Sequence, residues 1–323
     1  MTGRLRRDGR RGRGQLSRLV VFGGLNMDLI VEIPVPAGPG ETRFGTRFST
    51  TPGGKGGNQA VAAARMIEGA GSVEMIARVG DDRFGEEMIE ALASAGVGTE
   101  GVAIDGSTTT GVATIFIDAQ GENYVNAVYG ANARCGAQEL ERLRALLDGA
   151  TLLLLQQELP EAVTREAIEV ARELGVGVVL DPAPTREGLE SAHAQATILT
   201  PNEHEAADLT GVQVTDVASA SEAARKLHRA GPVAIVTLGE LGIWVEGDGL
   251  SQHIAAPSAE VVATLAAGDA LAGALAVAIA EGLSLGDAAR FGVACAALST
   301  TREGAQASMP SRAEVDALIK RGW

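Results

Sequence analysis

The chain has 323 residues, 46% of them hydrophobic, enough for one large α/β domain or two smaller ones with a sizeable core. Its formal charge of −14 is unevenly spread: residues 1–18 hold seven arginines and one acid, a net +6, leaving −20 on the rest. A body that acidic argues against nucleic acid as a partner, since affinity for phosphate backbones depends on Lys and Arg. No run reaches the ~18 apolar residues of a membrane span.

In chain order, residues 1–18 read as an Arg/Gly-rich disordered tail; the short apolar run after it, without a small-residue cleavage site, argues against a secretory signal. Residues 19–22 predict a buried strand ending in Gly23-Gly24, and residues 29–33 a second strand before the Pro/Gly-rich stretch 34–40. The glycine cluster Gly53-Gly54-Lys55-Gly56-Gly57 precedes a helix expected from about 58 to 68. It is no P-loop, because Lys55 is followed by two glycines rather than Ser or Thr. Four glycines around one lysine either let backbone approach a ligand closely or form a flexible turn. Residues 111–117 and 124–128 alternate around Asp118-Ala119-Gln120-Gly121, a hairpin pattern. From 137 onward helices (137–148, 161–174, 203–210, 217–230) alternate with apolar strands (151–155, 177–180, 197–199, 233–237). That alternation predicts a mostly parallel, Rossmann-like sheet with helices on both faces. Residues 29–50 and 101–128 have no place in it and are read as a small β-sheet lid. The expected division is a tail over 1–18 and one domain over 19–323.

The segment Thr264-Leu265-Ala266-Ala267-Gly268-Asp269 runs into residues 270–280, which carry no charge. Small residues at a helix start let backbone N–H groups converge on an anion, with Asp269 beside it as proton acceptor. The alternative is that Asp269 only caps the helix. Asn26, Asp28, Asn58 and Glu158 fall at strand ends or a helix start. Two carboxylates and two carboxamides without basic neighbours suit a neutral polyol, each accepting from adjacent hydroxyls. Asn202 and Glu205 have the spacing of a capping box, which is compatible with Glu205 also holding water around Mg²⁺. The four histidines show no ligand spacing, and Cys135 and Cys295 imply neither a metal site nor a disulfide, which fits a reducing, cytoplasmic setting.

Taken together, GGLNMDLI, PGGKGGNQAVAAAR, RVGDDRFG, TGVATIFIDAQGENYV, GANA, LLLQQELP, DPAPT, LTPNEHEA, TLGELG, LAAGDALAGAL and TREGAQASMP closely resemble the ribokinase-like (PfkB) family of sugar kinases, from about Leu19 to the C-terminus. The resemblance implies a Rossmann-like domain with a β-lid through which a homodimer forms. It also implies ATP-dependent phosphate transfer to a sugar primary hydroxyl, with D-ribose converted to ribose 5-phosphate. By the same resemblance Asp269 is the base and Gly268 part of the anion hole. Asn26, Met27, Asp28, Gly54, Lys55, Gly56, Gly57, Asn58 and Glu158 hold the sugar. Asn202, Thr237, Leu238, Gly239, Glu240, Leu241 and Gly242 bind ATP, and Glu205 is tied to Mg²⁺.

The family's monovalent-cation site maps to Leu265, Ser299, Arg302, Gly304 and Ser308, but Ala263 stands where the family has an Asp. Ala270-Leu271-Ala272 replaces Thr-Phe-Asn after the base, and Val293 a polar residue near the adenine. Activation by K⁺ is therefore not expected to be strong. Two alternatives stand beside a ribose kinase: a kinase for another furanose or a nucleoside, which the 3% aromatic content disfavours, and a sugar-binding regulator with reduced catalysis.

Overall fold

The computed structural model describes residues 18–69, 71–120, 122–186 and 188–323; residues 1–17 of the Arg-rich tail and Gly121 of the hairpin turn lie outside the described residues. The chain opens with β1 (Arg18–Phe22), β2 (Asn26–Glu32), β3 (Arg47–Gly53), α1 (Lys55–Met66), β4 (Ser72–Gly80), α2 (Arg83–Ser94) and β5 (Gly98–Asp105). Then follow β6 (Gly111–Ile117), β7 (Asn123–Val128), α3 (Ala137–Leu147), β8 (Leu152–Leu155), α4 (Glu161–Glu173), β9 (Gly177–Leu180), α5 (Glu190–Gln195) and β10 (Ile198–Leu199). The last part comprises α6 (Glu203–Thr210), α7 (Val217–Ala230), β11 (Val233–Thr237), β12 (Ile243–Gly247), β13 (Leu250–Ile254), α8 (Ala267–Ala280), α9 (Leu285–Ser299) and α10 (Arg312–Arg321).

Among the described residues the strands form a nine-stranded sheet in the order β13-β12-β11-β10-β9-β8-β1-β4-β5 and a four-stranded sheet in the order β3-β2-β6-β7. The large sheet is parallel from β11 to β5, with β12 and β13 antiparallel at one edge. Alternate residues of β1 serve opposite faces. Leu19 and Val21 join a core with α1, α2, α8, α9 and α10, while Val20 and Phe22 join one with α3, α4, α5, α6 and α7. Chain order reverses at β1, which pairs with β8 on one side and β4 on the other. Ligands of open α/β sheets bind in the crevice beyond the strand ends at such a reversal.

The small sheet is rooted in that crevice, since Asn26 at the start of β2 is paired with both Gly53 and Gly111. Two expected boundaries are corrected. Residues 101–105, expected in the lid, belong to β5, which pairs with β4 at the edge of the large sheet. The helix expected from 58 begins at Lys55, inside the glycine cluster.

Candidate active site

The first turn of α8 carries no side-chain cap. Side chains of Asp82, Asn202, Asp216 and Ser284 cap α2, α6, α7 and α9. The N-cap of α8 is Ala266, held in the left-handed region at φ 60°, with no side-chain cap. Ala267 N donates to Thr264 O at 3.3 Å, which leaves the N–H groups of Gly268 and Asp269 at the positive end of the helix dipole without a side-chain cap. At Gly268 nothing lies within 4 Å of where a Cβ would stand, so an anion has room there. Asp269 is the third helical residue and does not cap α8. Its carboxylate instead accepts from Asn58 Nδ2 at 2.9 Å and Gln59 Nε2 at 3.1 Å, both on α1. The capping alternative is thus set aside.

The glycine cluster is not an open turn but is closely packed, with Lys55, Gly56 and Gly57 inside α1. Gly54, at φ 80°, caps α1, and a Cβ there would stand 2.6 Å from Asn26 N and 2.7 Å from Gly24 O. A Cβ at Gly56 would stand 2.7–2.9 Å from backbone atoms of Gly23 and Gly24. The helix start can therefore lie directly on the loop that follows β1.

The predicted sugar residues converge there. Glu158 accepts from Asn26 Nδ2 at 3.3 Å and from Lys55 N at 2.9 Å. Asp28, 6% exposed, lies on the same strand face as Asn26. Asn58 Oδ1 is buried without a hydrogen-bond partner, an acceptor a ligand hydroxyl would satisfy. Met27 is a correction. One residue out of phase with its neighbours, it points into the core, fully buried, and is a packing residue.

The expectation of no basic neighbours is also corrected. Lys55 Nζ stands 3.4 Å from Asp181 Oδ2. Burial alone would lower the lysine's pKa, but the charges of Asp181, Asp269, Glu205 and Glu158 outweigh it and hold the ammonium ionised. One cation does not neutralise this set. Burial pushes Asp28 up to about 7, helped by the charges of Glu158 and Asp269. Burial likewise lifts Glu158 and Asp181 to about 7, against the pull of Lys55. Asp269 and Glu205 shift upward for the same first cause.

These shifts have a sign that melting curves can read. A carboxyl raised in the folded state contributes stability that is fully present below its unfolded pKa, and that stability is lost as pH rises through the folded value. For Asp28 the window runs from 3.8 to about 7. Asp28→Asn is expected to gain melting temperature relative to the natural protein as pH rises from about 5 to about 8, without ligands. Parallel curves would show that Asp28 does not titrate there.

Four polar residues of the crevice were not singled out from sequence. Gln59 donates to Asp181 Oδ2 at 2.9 Å as well as to Asp269, and its own oxygen accepts from Gln156 Nε2 at 2.6 Å. Asp181 follows β9 and Gln156 follows β8, strand-end positions that mark them as candidates. Asn132 bonds both backbone groups of Leu25 and the Asn26 side chain, fixing the root of the lid.

The predicted ATP segments adjoin this crevice. Thr237 N donates to Pro201 O at 2.9 Å, joining the end of β11 to the start of α6. The turn 238–242 is closed by Leu238 N to Gly242 O at 2.8 Å. Leu238 is a core residue, while Gly239, Glu240 and Leu241 are exposed. The capping box is complete: Asn202 Oδ1 accepts from Glu205 N at 2.9 Å, and Glu205 Oε2 accepts from Asn202 N at 2.8 Å. Among the described residues no three His, Cys, Asp or Glu side chains form a metal cage. The excess carboxylates nevertheless fit a Mg²⁺ that keeps its waters and leans on substrate phosphates.

In the segment expected to hold a monovalent cation, Val262 N and Ala263 N both donate to Thr300 O. Ser299 and Ser308 are buried, their hydroxyls donating to Ala296 O and Ala305 O, and Arg302 pairs with Glu314. Ala263 brings no carboxylate to that loop.

Comparison with known proteins gives the family. Residues 16–312 match the pfkB family carbohydrate kinase. The chain is 37% identical over 297 residues to the ribokinase of Haemophilus influenzae, covering 92% of this chain and 96% of that one. It is 35% identical over 296 residues to the deoxyribokinase of Salmonella typhi, covering 91% and 95%. The Arabidopsis thaliana ribokinase complexed with ribose and ATP superposes with a TM-score of 0.83 at 32% identity, over 94% of this chain and 99% of that one. This chain belongs to the pfkB family of carbohydrate kinases.

Proposed function

We propose that this kinase transfers the γ-phosphoryl group of ATP to O5 of D-ribose, giving ribose 5-phosphate and ADP. The observation that carries the reading is Asp269, held by two α1 amides beside Asn26, Asp28, Asn58 and Glu158 and one residue past the open turn at Gly268. Asn26, Asp28, Asn58 and Glu158 bind the sugar hydroxyls, with the backbone of Gly54, Gly56 and Gly57 as the floor. Asn202 and the 237–242 turn bind the nucleotide. Asp269 accepts the O5 proton as the O5–phosphorus bond forms and the bond to the ADP oxygen breaks. The N–H groups at Gly268 and Asp269 stabilise the charge on the passing phosphoryl group. Glu205 would hold Mg²⁺ through water, and the ion would supply charge neutralisation to the phosphates.

The test is an ATP-consumption screen of the full chain over pentoses, hexoses and nucleosides, with ribose expected to give the highest kcat/KM. A second reading, 2-deoxyribose as preferred sugar, is favoured by the 35% identity to a deoxyribokinase and is decided by the same screen. Binding of ribose without ATP consumption would overturn the kinase reading in favour of a regulator.

K⁺ activation is expected to be weak. Without a carboxylate at 263 a cation at the site of Leu265, Ser299, Arg302, Gly304 and Ser308 would be left mainly with carbonyls and the Ser308 hydroxyl, an uncharged set. Ala263→Asp is expected to introduce or strengthen activation in a K⁺ titration of kcat. Strong K⁺ dependence in the natural protein with no gain in the variant would show that backbone oxygens suffice.

The lid presents exposed Phe44, Phe48, Val125 and Val128, which fits a homodimer formed through it. Among the described residues no helix is long and apolar enough to cross a membrane. Both cysteines are buried and free, which fits the cytoplasmic setting expected. The acidic body fits a small-molecule enzyme without nucleic acid. The division into a tail and one kinase domain completes the reading, with Arg18, expected in the tail, serving instead as the first residue of β1.

A further inference from the structure

We infer that Gln59 is a positioning residue for the base: its single side-chain amide clamps Asp269 and Asp181 together and leaves the Asn58 side of Asp269 facing the sugar. The inference rests on the reading of Asp269 as proton acceptor.

Gln59 is 1% exposed and all three of its polar contacts are buried. An amide nitrogen carries two hydrogens, and here one goes to Asp181 Oδ2 at 2.9 Å and one to Asp269 Oδ1 at 3.1 Å. The amide cannot turn over. Its oxygen accepts from Gln156 Nε2 at 2.6 Å, and reversal would set a carbonyl against two carboxylates and one NH₂ against another. With Oδ1 of Asp269 so engaged, Oδ2 is the atom beside Asn58, whose own Oδ1 is unpartnered. The reacting hydroxyl thus has a defined place between Asp269 Oδ2 and Asn58 Oδ1.

The clamp also organises charge. Asp181, tied to Gln59, holds Lys55 at 3.4 Å, so the lysine is paired without occupying the base. The backbone supports the arrangement. Gly273 of α8 lets α1 approach so closely that a Cβ there would stand 2.7 Å from Gln59 O. The groups facing Asp269 are Lys55 from α1, Asp28 from β2, Glu158 after β8, Asp181 after β9 and Glu205 from α6. Of these, Lys55 favours the ionised base and the four acids oppose it. The Gln59 N–H bond favours ionisation, so its removal raises the pKa of Asp269.

The experiment compares Gln59→Met, similar in length but without hydrogen bonds, with Gln156→Met, which frees the amide to rotate. Both are measured beside Asp269→Asn in the full chain, on the best sugar of the screen. Gln59→Met is expected to cut kcat roughly 100-fold, the scale of a ~1 Å misplacement, with KM for sugar and ATP little changed. The acid limb of its kcat–pH profile moves to higher pH. Gln156→Met shifts both in the same direction and by less, and carries the test alone where circular dichroism shows Gln59→Met unfolded. An unchanged kcat, a rise in KM alone, or a loss of kcat with an unmoved acid limb in the folded variant overturns the inference. If Asp269→Asn keeps full turnover, the base reading itself fails; if it collapses while both glutamine variants behave as the natural protein, only the clamp fails.

Discussion

Asp269→Asn is expected to lower kcat roughly 10²–10⁴-fold, the range of lost general-base catalysis, while sugar affinity stays close to that of the natural protein. Asparagine has the same shape and can keep Oδ1 on one amide of α1, but it cannot take the O5 proton. The carboxylate accepts from Asn58 and Gln59 and contacts no helix N–H, so the loss is not that of a cap. Nor is a strongly basic group required. The transition state of phosphoryl transfer is loose and the hydroxyl gives up its proton late, so a carboxylate suffices. Burial raises the pKa of Asp269 while Lys55, Asn58 and Gln59 pull it back. The acid limb of the kcat–pH profile therefore lies above the ordinary Asp range. Single-turnover kinetics and direct ribose titration of the variant separate the two quantities. Turnover equal to the natural protein's would remove Asp269 from the chemistry.

The α/β frame was legible because its signals are local. Leu152–Leu155 is apolar throughout, as a strand covered on both faces must be, and the helices that follow are amphipathic. Residues 101–105 misled for a physical reason: an edge strand with one face covered alternates just as a lid strand does, and only pairing tells them apart. The start of α1 was placed late because glycines each cost a helix about 1 kcal/mol in isolation, and contact with the loop after β1 overrides that cost here. Asp28, Asn58, Glu158 and Asp269 announced themselves as ionisable or amide groups at element ends. Gln59 did not, because its partner Asp269 lies 210 residues away and only the approach of α8 to α1 brings them together. Met27 illustrates the opposite error, a residue taken into the site by the resemblance when strand alternation turns it into the core.

Gly56→Ala is expected to cost about 100-fold in kcat/KM, although alanine is the better helix former. Intrinsic propensity favours the change by about 0.5–1 kcal/mol. Against it, the new methyl would lie 2.7 Å from Gly23 C, 2.8 Å from Gly23 Cα and 2.9 Å from Gly24 N. These are backbone atoms next to a central strand and cannot swing aside as a side chain would, and overpacking of this kind costs about 1–3 kcal/mol. The clash therefore outweighs the propensity. It is relieved by lifting the first turn of α1 off the loop, and that turn carries Lys55 N, bonded to Glu158, and Asn58, bonded to Asp269. A displacement of about 1 Å there misplaces sugar and base together, which accounts for the size of the effect. Gly286→Ala in α9 is the control, since its Cβ would meet only Leu250 Cδ2 at an ordinary 3.6 Å. That variant is expected to melt at or above the natural temperature with full activity, and Gly56→Ala below it. Equal melting and equal kcat/KM for Gly56→Ala would mean that the α1 start and the β1 loop are not in the close contact on which the site depends.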